Sequence, residues 1–427
     1  MSGQSRALLR RFSGFFSLPL IAALVPFVIL PVLARVGGAV GWAAIGIGQS
    51  IGTVAALAIG LGWPLRGPSR IAREVGECQT QVMAESLVSR VIASVVVLPI
   101  ASVLAGFLTP PGTGALAVLT AGAFGCAGLS FSWAAIGRGR PGEIARFETV
   151  PKAIAAAASL PVVILTGNLL AYPVLLIAGS LIGYTLYYMS RGALNLSRVA
   201  VRAGISAVWD DWASSVADIA AGAYSSTPTS IVGLHAPPPA LASFTSADKI
   251  YRIALLPVAA LSSTFQGWVS EAPPGEVRRR GVVALAAHVV LGVGGSVGIL
   301  VAAVPASALL FGAQLAATEP MVWGYAVAFI CVAVNTSTGR HWLMPMGRSN
   351  EVMRSTLAGA IFGVPAMIFA SAWMGAQFVS WAFAASELLV TVWQIACLLS
   401  VHPGCPSHDL AGLAPTAQEP SVDQVGR

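Results

Sequence analysis

Long apolar runs alternate with short polar segments along nearly the whole chain. The runs are about 20 residues long, the length of α-helix that crosses a hydrocarbon core about 30 Å thick. We therefore predict an all-α, polytopic membrane protein with about twelve transmembrane helices. The expected spans cover approximately residues 15–35, 40–62, 86–108, 114–136, 151–168, 171–190, 212–234, 240–268, 282–309, 321–339, 355–374 and 376–399.

The polar segments between these runs are of two kinds. Alternate connections carry nearly all of the Lys and Arg residues, and the connections between them are short and carry none except Arg35. Because basic loops stay on the cytoplasmic side, this pattern orients the helices and places both termini in the cytoplasm. The basic segments include Arg66 to Arg90, Arg138 to Lys152, Arg191 to Arg202, Arg278 to Arg280 and Arg340 to Arg354.

The two halves of the chain follow the same order of helices, short outer hairpins and basic inner loops. We expect an N-terminal six-helix lobe in residues 1–200 and a C-terminal six-helix lobe in residues 201–400, related as parallel repeats. The basic, polar segment 191–211 is the expected linker between the lobes. Residues 401–427 are polar and rich in small residues, which predicts a disordered cytoplasmic tail.

Composition narrows the possible functions. Of 427 residues, 56% are hydrophobic and 10% are charged, against about 25% charged in soluble domains. The net charge of +7 reflects arginines at the inner face, and it indicates contact with anionic lipids and no nucleic acid. The five cysteines have no paired spacing, and no His, Cys or Glu cluster has metal-ligand spacing. Because catalytic and phosphate-loop motifs are also absent, we expect neither an enzyme nor a cofactor or metal.

Three charged residues lie in the middle of an expected span. Asp248, Lys249 and Arg252 all belong to the span at 240–268, and Lys249 is ten residues past Pro239, or roughly 15 Å along a helix. Their side chains fall within an arc of about 100°. Since each charge in hydrocarbon costs several kcal/mol, this face must line a protein interior or a water-filled cavity.

Two interpretations of this charged face stay open. In the first, Lys249 and Arg252 form a cationic site for an anionic substrate. In the second, Asp248 only neutralises Arg252 four residues away and locks two helices together. The second interpretation leaves Lys249 unpaired unless Asp218 or Glu387 serves it.

Other polar residues are candidates for the same pathway. Arg35 ends the first span on the outer side, where it either contacts substrate or extends to lipid headgroups. Asp218 and Glu387 lie inside expected spans, and each is a candidate proton or cation site or a counter-ion to Lys249. Gln49, in the second span, is a further candidate for the lining of the cavity.

Three stretches of the chain resemble a known family. They are residues 30–74, 227–272 and 309–352. The first contains Arg35 before a short outer turn, and the second contains Ala247-Asp248-Lys249-Ile250 and Arg252. On these stretches the chain resembles lipid-linked oligosaccharide flippases of the Wzx or polysaccharide-biosynthesis type. Their superfamily, abbreviated MOP, also holds MATE drug antiporters and the lipid II flippase. The family's outer acidic loop and aromatic residue are replaced here by Gly-Gly-Ala-Val-Gly-Trp.

The resemblance implies an architecture and a substrate. It implies two six-helix lobes forming a MATE-like V around a cavity that opens alternately inward and outward, in the bacterial cytoplasmic (inner) membrane. It implies a polyprenyl-diphosphate-linked glycan as substrate, for cell-surface polysaccharide assembly. Arg35, Lys249 and Arg252 would then hold the diphosphate by charge-assisted hydrogen bonds. The other expected partners are the bilayer, a coupling H⁺ or Na⁺ and a polysaccharide polymerase, with the protein as a monomer.

Two alternative functions belong to other classes. A MATE-type drug or cation antiporter would need an acidic or aromatic cavity. The charges in the spans that lie outside the basic segments are instead balanced, with Arg35, Lys249 and Arg252 against Asp218, Asp248 and Glu387. A membrane-integral glycan-modifying enzyme would need larger outer loops or an exposed histidine, for which His341 is the only candidate on the inner side.

The predicted topology can be tested with reporter fusions. Fusions after Gly112, Pro238 and Gly375 should report the outer side, because these connections carry no Lys or Arg. Fusions after Arg140 and Arg280 should report the cytoplasm. Alkaline phosphatase and fluorescent-protein activities measure the two sides, and a cytoplasmic signal at any of the first three sites would contradict the twelve-span arrangement.

Overall fold

The computed structural model describes residues 3–194, 197–210, 219, 222–270, 273 and 275–400. In the first helix, the side chains are described from residue 29 onward. Within these residues every regular element is helical. Nine helices in the described part are long and apolar enough to cross a membrane. The predicted all-α, polytopic fold is confirmed.

A first group of helices packs mainly within itself. The first helix packs against the fourth and seventh, and the third against the fourth and ninth. The expected linker therefore contains a helix that rests on the third helix. The elements are α1 (Gly3–Gly60), α2 (Trp63–Arg73), α3 (Glu77–Leu108), α4 (Gly114–Gly125), α5 (Ser132–Gly137), α6 (Pro141–Ile144), α7 (Val150–Thr166), α8 (Ala171–Ser190) and α9 (Arg198–Asp210).

A second group of helices follows and also packs mainly within itself. Its elements are α10 (Pro228–Gly233), α11 (Pro238–Ala254), α12 (Leu256–Ser270), α13 (Val277–Phe311), α14 (Glu319–Ser337), α15 (Ser349–Phe369) and α16 (Ala376–Leu399). Single π-helical turns extend α14 and α15. The proposed division of the chain at residue 200 stays a prediction, and the expected tail at 401–427 lies outside the described residues.

The nine candidate spans and the twelve expected ones differ for local reasons. Helix α1 runs from Gly3 to Gly60 without an interval of non-helical chain, so the first two expected spans merge. The expected span 212–234 is described only at residue 219 and from residue 222 onward, where a short helix covers Pro228–Gly233. The expected span 240–268 is divided into α11 and α12 at Leu255, beside Pro257, because proline removes a backbone hydrogen bond.

The merged helix α1 turns at Gly38. This residue alone leaves the helical region, with φ 57° and ψ −162°, a conformation that glycine adopts without a Cβ clash. On one side of it Arg35 donates to the carbonyl oxygen of Leu309, and on the other Trp42 lies 5.0 Å from the ring of Phe311. Since residues 35 and 42 both reach the end of α13, Gly38 forms a tight turn between two spans.

Glycines let the second span of α1 pack closely. A Cβ on Gly48 would lie 2.5 Å from the carbonyl oxygen of Ala117, and one on Gly52 the same distance from that of Ala121. Helix α4 therefore approaches α1 at backbone contact, as small residues allow in membrane helices. The glycines of this span serve close packing in the structure.

Arg90 does not belong to a basic inner loop, contrary to the sequence prediction. We assigned it to the inner face, but the structure buries its side chain completely inside α3, which begins at Glu77 instead of near residue 86. Its guanidinium donates to the carbonyl oxygens of Gly128 and Ser130 at 3.1 and 2.6 Å, and to the hydroxyl of Tyr188 at 2.6 Å. Arg90 thus satisfies the carbonyls exposed where the chain leaves its helical path between α4 and α5.

We expect Arg90→Ala to destabilise the protein without touching the cavity described below. Its removal leaves the carbonyls of Gly128 and Ser130 buried and unpaired, at a cost of about 3 kcal/mol. Thermal unfolding of the purified protein in detergent should show a midpoint lowered by several degrees. Arg354→Ala is the matched control, because Arg354 makes an exposed ion pair with Glu351, which contributes about 0–1 kcal/mol. Equal midpoints for the two variants would contradict this role.

A candidate binding cavity between the two helix groups

A small polar cavity lies where the second span of α1 meets the second helix group. Its volume is about 50 Å³. Both groups contribute side chains, so any ligand here would touch both. The lining residues are Gly46, Gln49, Ser50 and Thr53 of α1, Ser226 ahead of α10, and Asp248, Lys249 and Arg252 of α11.

The charged face of α11 supplies the ionised groups of the cavity. Arg252 Nε donates to Asp248 Oδ2 at 2.7 Å, as the second interpretation of this face predicts. The remaining oxygen of Asp248 accepts from the Tyr325 hydroxyl at 3.3 Å, and Arg252 Nη2 donates to the carbonyl of Ser225 at 3.2 Å. The Asp248 side chain is 3% exposed and that of Arg252 is 35% exposed. Asp248 is therefore neutralised within its own helix, while Arg252 keeps a face toward the cavity.

Lys249 differs from its two neighbours. Its residue is 6% exposed, and among the described residues its ammonium has neither a hydrogen bond nor an ion pair. Glu387 forms no ion pair with Lys249, and Asp218, the other candidate counter-ion, lies outside the described residues. A buried cation without a partner is costly, so the ammonium is a group that an anion in the cavity would stabilise.

The opposite wall comes from α1. Ser50 Oγ donates to the carbonyl of Ser226 at 2.5 Å and accepts from Ser230 Oγ at 2.7 Å. Thr53 donates back to the carbonyl of Gln49 within the same helix at 2.7 Å. The side-chain oxygen of Gln49 is buried and has no donor among the described residues. The prediction that Gln49 lies in the same cavity as the α11 charges is confirmed.

Arg35 does not line this cavity. Its side chain is exposed near the outer turn of α1, where Nη2 donates to the carbonyl of Leu309 at 2.5 Å. Nearby, Trp42 Nε1 donates to Ser246 Oγ at 3.0 Å. Both bonds join the first helix group to the second, so Arg35 belongs to a contact between the groups that lies apart from the cavity.

Glu387 occupies a separate buried site inside the second group. Its residue is 6% exposed. The Tyr224 hydroxyl donates to Oε1 and the Asn335 amide to Oε2, each at 2.8 Å. No cation of the described residues pairs with it. Tyr224 and Asn335 were missed from the sequence, because a lone tyrosine or asparagine in an apolar run carries no signal of its partner.

A cluster of aromatic rings lies between the two carboxylates. Tyr251 stacks on Tyr325 at 4.6 Å between ring centroids, and Phe383 lies 5.6 Å from Tyr224 and 6.0 Å from Tyr251. Tyr325 contacts Asp248 at one end of the cluster and Tyr224 contacts Glu387 at the other. The two carboxylates are thus held apart by packed rings within one helix group.

The remaining titratable candidates do not form a catalytic site. His341, the candidate for an enzyme, is buried, bonded to Ser337 and to the carbonyl of Ser262, and its ring lies 5.2 Å from that of His288. In the part of the chain that the structure describes, no group of three or more His, Cys, Asp or Glu residues could hold a metal ion.

No protein-family model matches the chain, and no curated protein matches it. Solved structures do match. The lipid II flippase MurJ, in an inward closed conformation, has a TM-score of 0.72 at 11% identity, covering 90% of this chain and 87% of that one. The eukaryotic MATE transporter AtDTX14 has a TM-score of 0.59 at 13% identity, covering 92% and 96%. An inward-facing multidrug resistance MATE family transporter of the MOP superfamily has a TM-score of 0.56 at 14% identity, covering 90% and 94%.

These matches extend over most of every chain compared. Identities this low establish a shared fold. The protein is a multi-pass membrane protein with the fold of MOP-superfamily transporters, a fold found in both a lipid flippase and multidrug transporters.

Proposed function

We propose that this protein is a flippase that moves a polyprenyl-diphosphate-linked oligosaccharide across the bacterial cytoplasmic membrane by alternating access, for cell-surface polysaccharide assembly. The observation that carries the proposal is the buried ammonium of Lys249, which faces a cavity between the helix groups without a partner among the described residues.

The charges of the cavity favour an anionic ligand. Asp248 and Arg252 neutralise each other through their ion pair, which leaves the single positive charge of Lys249. A diphosphate supplies the oxygen acceptors that this ammonium and the free edge of the Arg252 guanidinium require. A diphosphate joined to a glycan on one side and a polyprenyl chain on the other would let the sugars enter the cavity while the lipid stays in the bilayer.

The position of the cavity fits alternating access. It lies at the seam of the proposed lobes, 1–200 and 201–400, so that their relative motion would open it to either side. Arg35–Leu309 and Trp42–Ser246 link the groups at the outer end of the seam. In this proposal Arg35 closes the outer side, and it meets the substrate only after the seam opens outward.

The alternative of a MATE-type drug antiporter is also compatible with the fold, since MATE transporters match it at lower TM-scores than the flippase does. The cavity argues against this alternative, because a cationic drug would meet the uncompensated charge of Lys249. An assay of cationic dye efflux separates the two functions. Efflux of cationic dyes by the native protein would favour the antiporter.

Glu387 is the proposed coupling residue, with Asp218 as the second candidate. A buried carboxyl that accepts only from a phenol and an amide is a suitable place to carry a proton or a sodium ion, because burying an unpaired carboxylate is costly. Its separation from the cavity by the aromatic cluster fits coupling through movement of the second helix group instead of direct contact with substrate.

We expect Lys249→Ala to reduce transport strongly while the protein still inserts at normal levels. Loss of a charge-assisted bond to phosphate should lower transport by about 10- to 100-fold. Arg252→Lys should retain part of the activity, because lysine keeps the charge but lacks the planar fork of arginine. Surface polysaccharide in a deletion strain complemented with each variant measures function, and immunoblots of membranes measure abundance.

The Asp248–Arg252 pair requires its own control. Arg252→Ala leaves Asp248 buried without its cation, so a loss of function in this variant alone has two explanations. The double variant Asp248→Ala, Arg252→Ala removes both charges. Full activity of that double variant would show that Arg252 is only a structural partner of Asp248, and full activity of Lys249→Ala would overturn the proposed function.

We expect Glu387→Gln to remove the dependence of transport on pH or on sodium. Glutamine keeps the shape and accepts the bond from Tyr224, but it cannot exchange a proton or bind a cation by charge. Transport by reconstituted vesicles, measured from about pH 5.5 to pH 8 and with or without sodium, tests this. Glu319→Gln is the control, since Glu319 is exposed at the outer start of α14. An unchanged dependence in Glu387→Gln would leave Glu387 as a structural residue.

A further inference from the structure

Two histidines meet inside the second helix group, and neither lines the cavity. His288 belongs to α13 and His341 to the π-helical turn that extends α14, and both side chains are buried. Their ring centroids lie 5.2 Å apart. Phe265 of α12 contacts both rings, with centroids at 6.1 Å from His288 and 6.2 Å from His341. The pair therefore lies where α12, α13 and the end of α14 pack together.

Hydrogen bonds fix which nitrogen of each neutral ring carries the proton. His288 Nδ1 lies 2.8 Å from the carbonyl oxygen of Ala284, and His341 Nε2 lies 3.2 Å from that of Ser262. Because a carbonyl oxygen only accepts, both nitrogens are donors. Ser337 Oγ donates to His341 Nδ1 at 3.1 Å. The fourth nitrogen, His288 Nε2, is buried without a partner among the described residues, so a proton can bind there without breaking any of these bonds.

A proton on His288 would bring a positive charge into a region that already holds one. Arg340, next to His341 in the chain, is the charged residue that acts on the pair, and no carboxylate among the described residues does so. Helix α12 contributes no charge of either sign between Leu256 and Ser270. An imidazolium buried without a counter-ion is costly, so the packed arrangement requires both rings to be neutral.

The other charged residues on the helices around the pair offer no spare carboxylate beside it. Those of negative charge are paired with arginines of their own segments, bonded to neutral donors or exposed at the far end of α14. These charged residues are Arg35 of α1, Asp248, Lys249 and Arg252 of α11, Glu276, Arg278, Arg279 and Arg280 at the start of α13, Glu319 of α14, Arg348, Glu351 and Arg354 at the start of α15, and Glu387 of α16.

We propose that His288 and His341 form a proton-binding pair that releases α12 from α13 and α14 when His288 takes up a proton. The bond that ties the pair to α12 is the one from His341 to the carbonyl of Ser262, and the repulsion between the new charge, His341 and Arg340 acts directly on it. Helix α12 begins two residues after the last residue of α11, at Leu256. Release of α12 therefore reaches the helix that carries Lys249, whatever ligand the cavity binds.

The size and sign of the effect follow from proton linkage. Once α12 is released, His288 meets water, where a histidine titrates near pH 6.5. At about pH 5.5 the released form is then favoured about tenfold over its population at about pH 7.5. The packed arrangement is thus stable at neutral and alkaline pH and weakens as the pH falls through about 6.5.

Hydrogen–deuterium exchange of the full chain in detergent measures this release. Amides of α12, Leu256–Ser270, should lose about tenfold of their protection between about pH 7.5 and pH 5.5, after correction for the intrinsic exchange rate. His288→Asn removes the titrating nitrogen while its amide can still donate to the Ala284 carbonyl, so protection in this variant should be equal at the two pH values. Equal protection in the native protein would overturn the proposal without any variant.

Two further variants separate the rings from a general effect of acid. His341→Gln places a neutral amide where Nε2 donates to Ser262, so the tenfold change should remain. His235→Gln replaces an exposed histidine that follows α10 and should also keep it. A pH dependence that persists in His288→Asn, or that is lost in His235→Gln, contradicts the proposal. Loss of the dependence in His341→Gln with its persistence in His288→Asn would assign the proton to His341 and overturn the role of His288.

Discussion

The structure depends on keeping the charges of α11 out of the hydrocarbon. Asp248, Lys249 and Arg252 lie along one face of a helix that otherwise packs with apolar and small residues. Exposure of this face to lipid would cost several kcal/mol for each charge. The second span of α1 covers it instead, with Gly46, Gln49 and Ser50 opposite the charges. The seam between the helix groups is therefore placed where the charges are, and the cavity lies in that seam.

The seam is joined by hydrogen bonds and by close packing. Across it, Ser50 bonds to Ser226, Trp42 to Ser246 and Arg35 to the carbonyl of Leu309. Each of these bonds makes a net contribution of about 1 kcal/mol. A Cβ on Gly46 would collide with the side chain of Thr245, so α1 and α11 also approach each other closely. Motion that opens the seam must therefore break both kinds of contact.

Sequence patterns predicted the features that depend on neighbouring residues. Hydropathy gives the spans, helical periodicity gives the charged face around Lys249, and Pro257 marks the break after α11. Features that depend on distant contacts were not predictable. Arg90 lies only a few residues inside an apolar run, so it was assigned to the inner face, and its partners at Gly128 and Ser130 are about 40 residues away. The two partners of Glu387, Tyr224 and Asn335, likewise lie more than 50 residues away along the chain.

The two buried carboxylates of the second group, Asp248 and Glu387, differ in role because their surroundings differ. Asp248 has a cation four residues away on its own helix, so its charge is compensated wherever α11 moves. Glu387 has only the neutral donors Tyr224 and Asn335, which come from other segments of the group. A gain or loss of charge at Glu387 must therefore be accommodated by a shift of those segments. Tyr224 packs on Phe383, which packs on Tyr251 of the helix that carries Lys249. The ring cluster thus joins the buried carboxyl of Glu387, which has no cation partner among the described residues, to the helix that lines the cavity.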